Sequence, residues 1–182
     1  MSSVAPASPT PFKLRPAELR DVQAIVGLIR ELAEFEQLTH LLQVTPEKLR
    51  PHLFGERPVA EALVAELDSG ADGKPEVVAF ALFFTNFSTF LAQPGLYLED
   101  LFVRPEHRGL GIGQALLRRL AQLAVERGCG RFEWSVLDWN ANAIRFYERM
   151  GATVMPDWRI CRIAGDALGR FSAAPAPAAG PP

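Results

Sequence analysis

Cysteine and histidine are scarce in this sequence, with two of the first and three of the second in 182 residues. Cys129 and Cys161 are too few for a disulfide framework and lack metal-ligand spacing. Two reduced thiols, at least one of them buried, are expected. His40, His52 and His107 are scattered, so no zinc site, and no metal at all, is expected. No apolar run approaches the ~18 residues of a membrane span. The N-terminus, MSSVAPASPTP, lacks the charged and apolar regions of a secretory signal. A cytoplasmic protein without a membrane partner is therefore expected. Excess charge of one sign is missing too. Lys and Arg total 19 against 21 Asp and Glu, a net charge of −2, which gives no electrostatic grip on nucleic acid.

What is present is ordinary globular material, 48% hydrophobic and 22% charged, long enough for one domain with a core. Residues 1–11 and 171–182 are rich in Pro, Ala and Ser and read as disordered tails around a domain at 12–170. Within it, 12–17 reads as a short strand. Val22, Ile25, Val26, Ile29, Leu32 and Ala33 form one apolar stripe on a helix over 19–35. Thr45-Pro46 predicts the cap and first position of a short helix ending near Leu53. Strands are expected at 62–67, 77–87 and 95–105, with the turn-rich stretch 68–76 linking the first two as an antiparallel hairpin. A long amphipathic helix over 111–127 carries Ala115, Leu116, Leu120, Leu123 and Ala124 inward. A strand at 131–137, a helix capped by Asn140 and stopped by Gly151, and a last strand at 158–163 complete the domain. The order implies a mixed α/β sheet, antiparallel first, with a crossover later.

Two places in this pattern carry chemistry. The strand at 95–105 holds adjacent acids, Glu99 and Asp100, in an otherwise apolar run, and regular alternation would point them apart. After it, RGLGIG (108–113) sets three glycines at the start of a helix. A helix start offers unpaired N–H groups and a positive dipole end, and glycines let an anion come close. The loop fits neither a P-loop, because Gln114 and Ala115 follow, nor a G-x-G-x-x-G dinucleotide fingerprint. By itself the spacing suits a pyrophosphate cradle and a ligand-free glycine-rich helix start equally.

The loop R-x-x-G-x-G, preceded by LYLEDLFVRPEH and followed some thirty residues later by NANAIRFYERMGA, resembles the GNAT acetyltransferase superfamily over roughly 12–163. LYLEDLFVRPEHRGLGIG, WNANAIRFYERMGA and LIRELAEFE are similar to signature stretches of its spermidine/spermine (diamine) acetyltransferase branch. The resemblance implies the GNAT fold, a mixed and mostly antiparallel sheet flanked by helices with a splayed parallel pair at the acetyl-CoA site. It implies acetyl-CoA as cosubstrate, with Leu101, Phe102 and Val103 along the acetyl and pantetheine groups. Arg108, Gly109, Leu110, Gly111, Ile112, Gly113 and Gln114 would hold the pyrophosphate, with Asn140, Ala143 and Tyr147 as further contacts. It also implies Tyr147 as the catalytic tyrosine, Glu36 and Glu99 facing the amine, and a homodimer.

An alkylamine with a pKa near ~10.4 must lose a proton before it attacks an acetyl group. Glu99 is the candidate base, direct or through water, and Tyr147 the candidate acid to the CoA sulfur. Away from the resemblance, Glu99 also reads as a strand acid paired with an arginine, and Tyr147 as a core aromatic beside Phe146. Cys129 has no histidine near it, so direct transfer is expected rather than an acetyl-enzyme. The branch carries more acids after its first helix than 34–44 does here, and a tyrosine where this chain has Phe35. Asp157 is a further candidate substrate contact. The expected acceptor is therefore a small polyamine, a diamine or a lysine-like amino acid. The alternatives are a protein or peptide amine, or a module that binds acetyl-CoA without transferring its acetyl group.

Overall fold

The strand β3 (Glu76–Ser88) is buried on both faces through its first half and organises the sheet. In the computed structural model, which describes residues 12–68 and 75–173, it lies between β2 (Glu61–Leu67) and β4 (Gln93–Val103). β1 (Lys13–Pro16) forms one edge and β5 (Arg131–Trp134) the other, giving a five-stranded sheet in the order β1-β2-β3-β4-β5. Every neighbouring pair is antiparallel except β4 and β5, which run parallel. The expected tail at 1–11, residues 174–182 of the one expected at 171–182, and 69–74 of the expected connection lie outside the described residues.

The chain divides into two units, 1–138 and 139–182. In the first, α1 (Val22–Phe35) and α2 (Pro46–Phe54) pack on one face of the sheet. Ile25, Leu28 and Leu32 meet Leu53, Ala62, Val64, Phe80 and Phe102 in one buried cluster. The α1 stripe follows its helical spacing, with one difference: Leu28 is fully buried and Ile29 only half-buried. A single 3₁₀ turn, Leu19–Asp21, precedes it. Thr45 caps α2 by accepting the Lys48 N–H, and Pro46 fills its first position. The helix α3 (Ile112–Glu126) covers the other face through Ile112, Leu116, Leu117, Leu120 and Ala124. Ala115 and Leu123, also expected inward, are half-buried.

A buried ion cluster ties the start of the unit together. Arg15 on β1 donates to both oxygens of Asp21, at 2.6 and 2.9 Å, and to Glu66 on β2. Burial alone would raise the Asp21 carboxyl, but the Arg15 bonds and the Glu18 N–H hold it below the usual range.

In the second unit, α4 (Ala141–Arg149) is capped by Asn140, whose Oδ1 accepts the Ala143 N–H at 3.1 Å. Gly151, at φ +93°, stops it as expected. Residues 158–163, expected as a last strand, join no strand and are exposed. Their W-R-I-C-R-I run finds no ladder partner among the described residues, and a strand needs one. A helix that sequence reading did not foresee, α5 (Asp166–Ala173), takes in the first three residues of the expected C-terminal tail. The free thiols are placed differently from expectation: Cys129 is half-buried and Cys161 exposed, so neither is a core residue.

Candidate active site

The register between β3 and β4 slips once. Leu82 faces Asp100, and the next residue, Phe83, faces Leu98. Glu99 is the extra residue, so a β-bulge sits on β4 at the acidic pair. The slip resets the pleat. Leu98 shares the face of Phe83, and Asp100 shares the face of Leu82 and Phe80, toward α1. The bulge, and not plain alternation, therefore sets the face that Asp100 takes. Asp100 feels the charge of Glu99 directly, and its carboxyl is pushed up to about 6 by burial, by Glu99 and by Glu36. Glu99 itself is exposed.

Glu36 comes from the far end of α1. The helix closes in a Schellman turn, with Leu38 N–H donating to Ala33 O at 2.8 Å and Gln37 N–H to Glu34 O at 3.1 Å. Gln37 takes the left-handed position, φ +59°, that glycine usually fills. The turn leaves Phe35 and Glu36 at the last turn of the helix. Burial raises the Glu36 carboxyl above its ordinary value. Three carboxylates from two elements thus share one neighbourhood, a place suited to a cation. The sequence singles out Glu36 and Glu99; Asp100 is visible there as one of two adjacent acids in an apolar strand, but its half-buried place beside Glu36 is not.

Just past the bulge, the parallel pair comes apart. β4 and β5 are in register only from Gly95–Arg131 to Leu98–Trp134. Beyond Leu98, β3 is the only strand among the described residues that β4 pairs with, so the backbone of Leu101, Phe102 and Val103 has a sheet edge without a strand neighbour among them. Tyr97 and Ser135 join the two strands at the fork through a 2.8 Å hydroxyl contact.

The loop after β4 is fixed at its base and open at its tip. Arg104 binds Glu31 of α1 and Glu76 of β3, and its N–H donates to Val78 O at 3.1 Å. A 3₁₀ turn, Pro105–His107, follows, then Gly109 and Gly111 at φ +84° and +83°. A Cβ on either glycine would meet no atom within 4 Å. The glycines are therefore required by backbone conformation, and the space before them is open. Gly111 is the N-cap of α3, whose first i→i−4 bond is Ala115 N–H to Gly111 O at 2.9 Å. The N–H groups of Ile112, Gly113 and Gln114 precede that bond and form the positive end of the helix. Arg108 joins them. Its Nε donates to Val103 O at 3.1 Å, and its guanidinium lies over the rings of Phe35 and Phe102. An open glycine turn, a 15-residue helix start and an arginine without a carboxylate partner among the described residues suit a phosphate-bearing ligand.

The structure brings Glu36, Glu99, Leu101, Phe102, Val103 and Arg108 to Gln114 together in the first unit. Asn140, Ala143 and Tyr147 lie together on α4 in the second. Tyr147 is half-buried with its ring 5.5 Å from that of Phe146, and Asp157 is exposed. No cluster of three His, Cys, Asp or Glu side chains able to hold a metal occurs among the described residues.

An open glycine turn beside a splayed parallel pair is the arrangement that the resemblance to acetyltransferases implies, and comparison gives that class. The family described as Acetyltransferase (GNAT) matches residues 28–152, and this chain belongs to it. Its family uses acetyl-CoA, and the open glycine loop, with an arginine that has no carboxylate partner among the described residues, suits that molecule's pyrophosphate. Among individual proteins, L-ornithine N5-acetyltransferase NATA1 of Arabidopsis thaliana is 38% identical over 210 residues, 92% of this chain and 92% of that one. Thialysine N-epsilon-acetyltransferase of Bos taurus is 39% identical over 161 residues, 85% of this chain and 94% of that one. A solved integron cassette protein of V. cholerae shares the fold, with a TM-score of 0.72 at 24% identity over 90% of this chain and 99% of that one. The chain is an amine N-acetyltransferase whose relatives lie within the diamine acetyltransferase branch.

Proposed function

We propose that this enzyme acetylates a primary amine of a small ornithine-like or lysine-like amino acid, a diamine or a short polyamine. The observation that carries this reading is the grouping of Glu36, Glu99 and Asp100 at the β4 bulge, beside the free edge of Leu101–Val103. Relatives that act on ornithine and thialysine support it. The acceptor is a cation at neutral pH, and three carboxylates attract it. Segment 37–44 adds no further acid, which favours an acceptor with few positive charges over a long polycation.

Acetyl-CoA supplies an activated acetyl group and leaves as the thiol. The backbone of Leu101, Phe102 and Val103 lines the acetyl and pantetheine groups. Arg108, Gly109, Leu110, Gly111, Ile112, Gly113 and Gln114 hold the pyrophosphate. Glu99, the exposed acid, receives the ammonium proton directly or through water. Asp100 keeps a proton near pH 6 and tunes that transfer. Tyr147 gives a proton to the sulfur. Ala143 and Asn140 complete the cosubstrate contacts, and Asn140 also caps α4. Asp157 is a further acceptor contact. Residues 12–170 act as one acetyltransferase domain, with direct transfer and no acetyl-enzyme.

The deciding experiment measures CoA release with ornithine, thialysine, lysine, putrescine, spermidine, spermine and a lysine peptide. Turnover on the amino acids or diamines is expected. Turnover on the peptide alone would overturn the small-amine reading. Acetyl-CoA binding without turnover on any of them would favour a binding module.

The protein is also proposed to be a cytoplasmic homodimer. Free Cys129 and Cys161 fit a reducing compartment. Exposed Met155, Trp158 and Ile160, at 59, 72 and 69%, support a contact through the second unit. Light scattering after size exclusion tests this; a monomer at micromolar concentration would refute it.

A further inference from the structure

We infer that Phe35 is a positioning residue for cosubstrate binding, acting through Arg108. This rests on the reading of 108–113 as the pyrophosphate loop. Many arginines of this chain are neutralised by carboxylates: Arg15 by Asp21 and Glu66, Arg104 by Glu31 and Glu76, Arg119 by Glu126, Arg127 by Glu61. Arg108 is held differently. Its guanidinium carbon lies 5.1 Å from the centroid of Phe35 and 5.7 Å from that of Phe102. Its Nε is bonded to Val103 O, a carbonyl of its own loop base. Among the described residues it has no carboxylate partner.

The arrangement separates the two uses of a guanidinium. The charge centre lies over the aromatic rings, an attraction that uses none of its N–H groups. Stacking fixes the head group while leaving the Nη edge for an anion. A carboxylate in the same place would also fix it, but would have to be displaced by the incoming phosphate. Aromatic rings hold Arg108 without discharging it. Phe102 is a buried member of the sheet core, so its ring has a second function. Phe35 is 42% exposed at the last turn of α1, outside the buried core cluster. The Schellman turn that presents Glu36 to the acidic cluster also sets Phe35 beside Arg108.

The test is a double-mutant cycle read by calorimetric titration of acetyl-CoA and by steady-state kinetics. Phe35→Leu is expected to weaken acetyl-CoA binding about 3-fold to 5-fold. The kcat and the KM for the amine should stay within twofold, and Phe35→Trp should restore binding. In an Arg108→Ala background the Phe35→Leu change should have no further effect. Unchanged binding by Phe35→Leu would overturn the inference, as would an equal loss in the Arg108→Ala background. Failure of the underlying reading looks different: Arg108→Ala would then bind acetyl-CoA as tightly as the unaltered enzyme.

Discussion

Asp100, just past the bulge on β4, has its carboxyl raised by burial and, from another element, by Glu36 at the end of α1. The two belong to different elements and meet on the same side of the sheet. Burial and Glu99 act in the same direction, and together they bring Asp100 up to about 6 from an ordinary 3.8. The folded protein keeps this proton over a pH range in which the unfolded chain has lost it. Stability is therefore present at low pH and falls as pH rises from about 4 to about 6. Asp100→Asn should abolish that fall and leave the protein more stable at pH 7.5, by at most ~3 kcal/mol. Melting temperature measured from pH 4 to 8 checks this. Parallel curves for the two proteins would show that Asp100 ionises as an ordinary surface acid.

Arg15 is the reverse case, a cation that compensates buried acids. Arg15→Leu would strand Asp21, which is 4% exposed, without its ion partner. A loss of ~3–5 kcal/mol in urea unfolding is expected, because removing one member leaves an uncompensated charge. A loss below ~1 kcal/mol would mean that water reaches Asp21 freely.

Gly111 stands at φ +83° with open space where a Cβ would go. Gly111→Ala should cost ~1–2 kcal/mol from backbone strain alone. Gly111→Asn should cost less, because asparagine tolerates this conformation. Both are checked by thermal melting, and titration with acetyl-CoA should show weaker binding for the alanine variant. An alanine variant as stable as the unaltered protein would show that the turn relaxes to a negative φ.

Tyr147→Phe removes one hydroxyl and little volume. If that hydroxyl protonates the leaving sulfur, kcat should fall at least ~10²-fold. Acetyl-CoA affinity should hold within twofold. A variant with full turnover would remove Tyr147 from the chemistry.

Much of this was legible in the residues because local rules decide it. Thr45-Pro46 caps and starts α2, Asn140 caps α4, and Gly151 ends it, each through contacts within a few residues. The glycine loop was legible for the same reason: φ near +83° asks for glycine whatever the rest of the fold does. The bulge was not. LYLEDLFV carries no mark that register will slip at Glu99, because the slip is a relation between β4 and β3. The Schellman turn was hidden as well, since Gln37 stands where glycine would have advertised it. At 158–163 an aromatic and β-branched run suggested a strand where none forms, because residue type says nothing of a pairing neighbour. The end of α5 is hidden because its Ser and Ala run on into the Pro- and Ala-rich stretch that follows.

The burial of β3 on both faces has a consequence for how the molecule opens. Val78, Ala79, Phe80 and Ala81 are wholly inaccessible, and Phe83 nearly so, whereas Phe87 near the hairpin end is 61% exposed. One strand thus spans the whole range of local stability. The amides at its far end exchange with deuterium through small fluctuations of the hairpin. Those from Val78 to Phe83 exchange only when the sheet as a whole comes apart, so their rates report the global unfolding free energy.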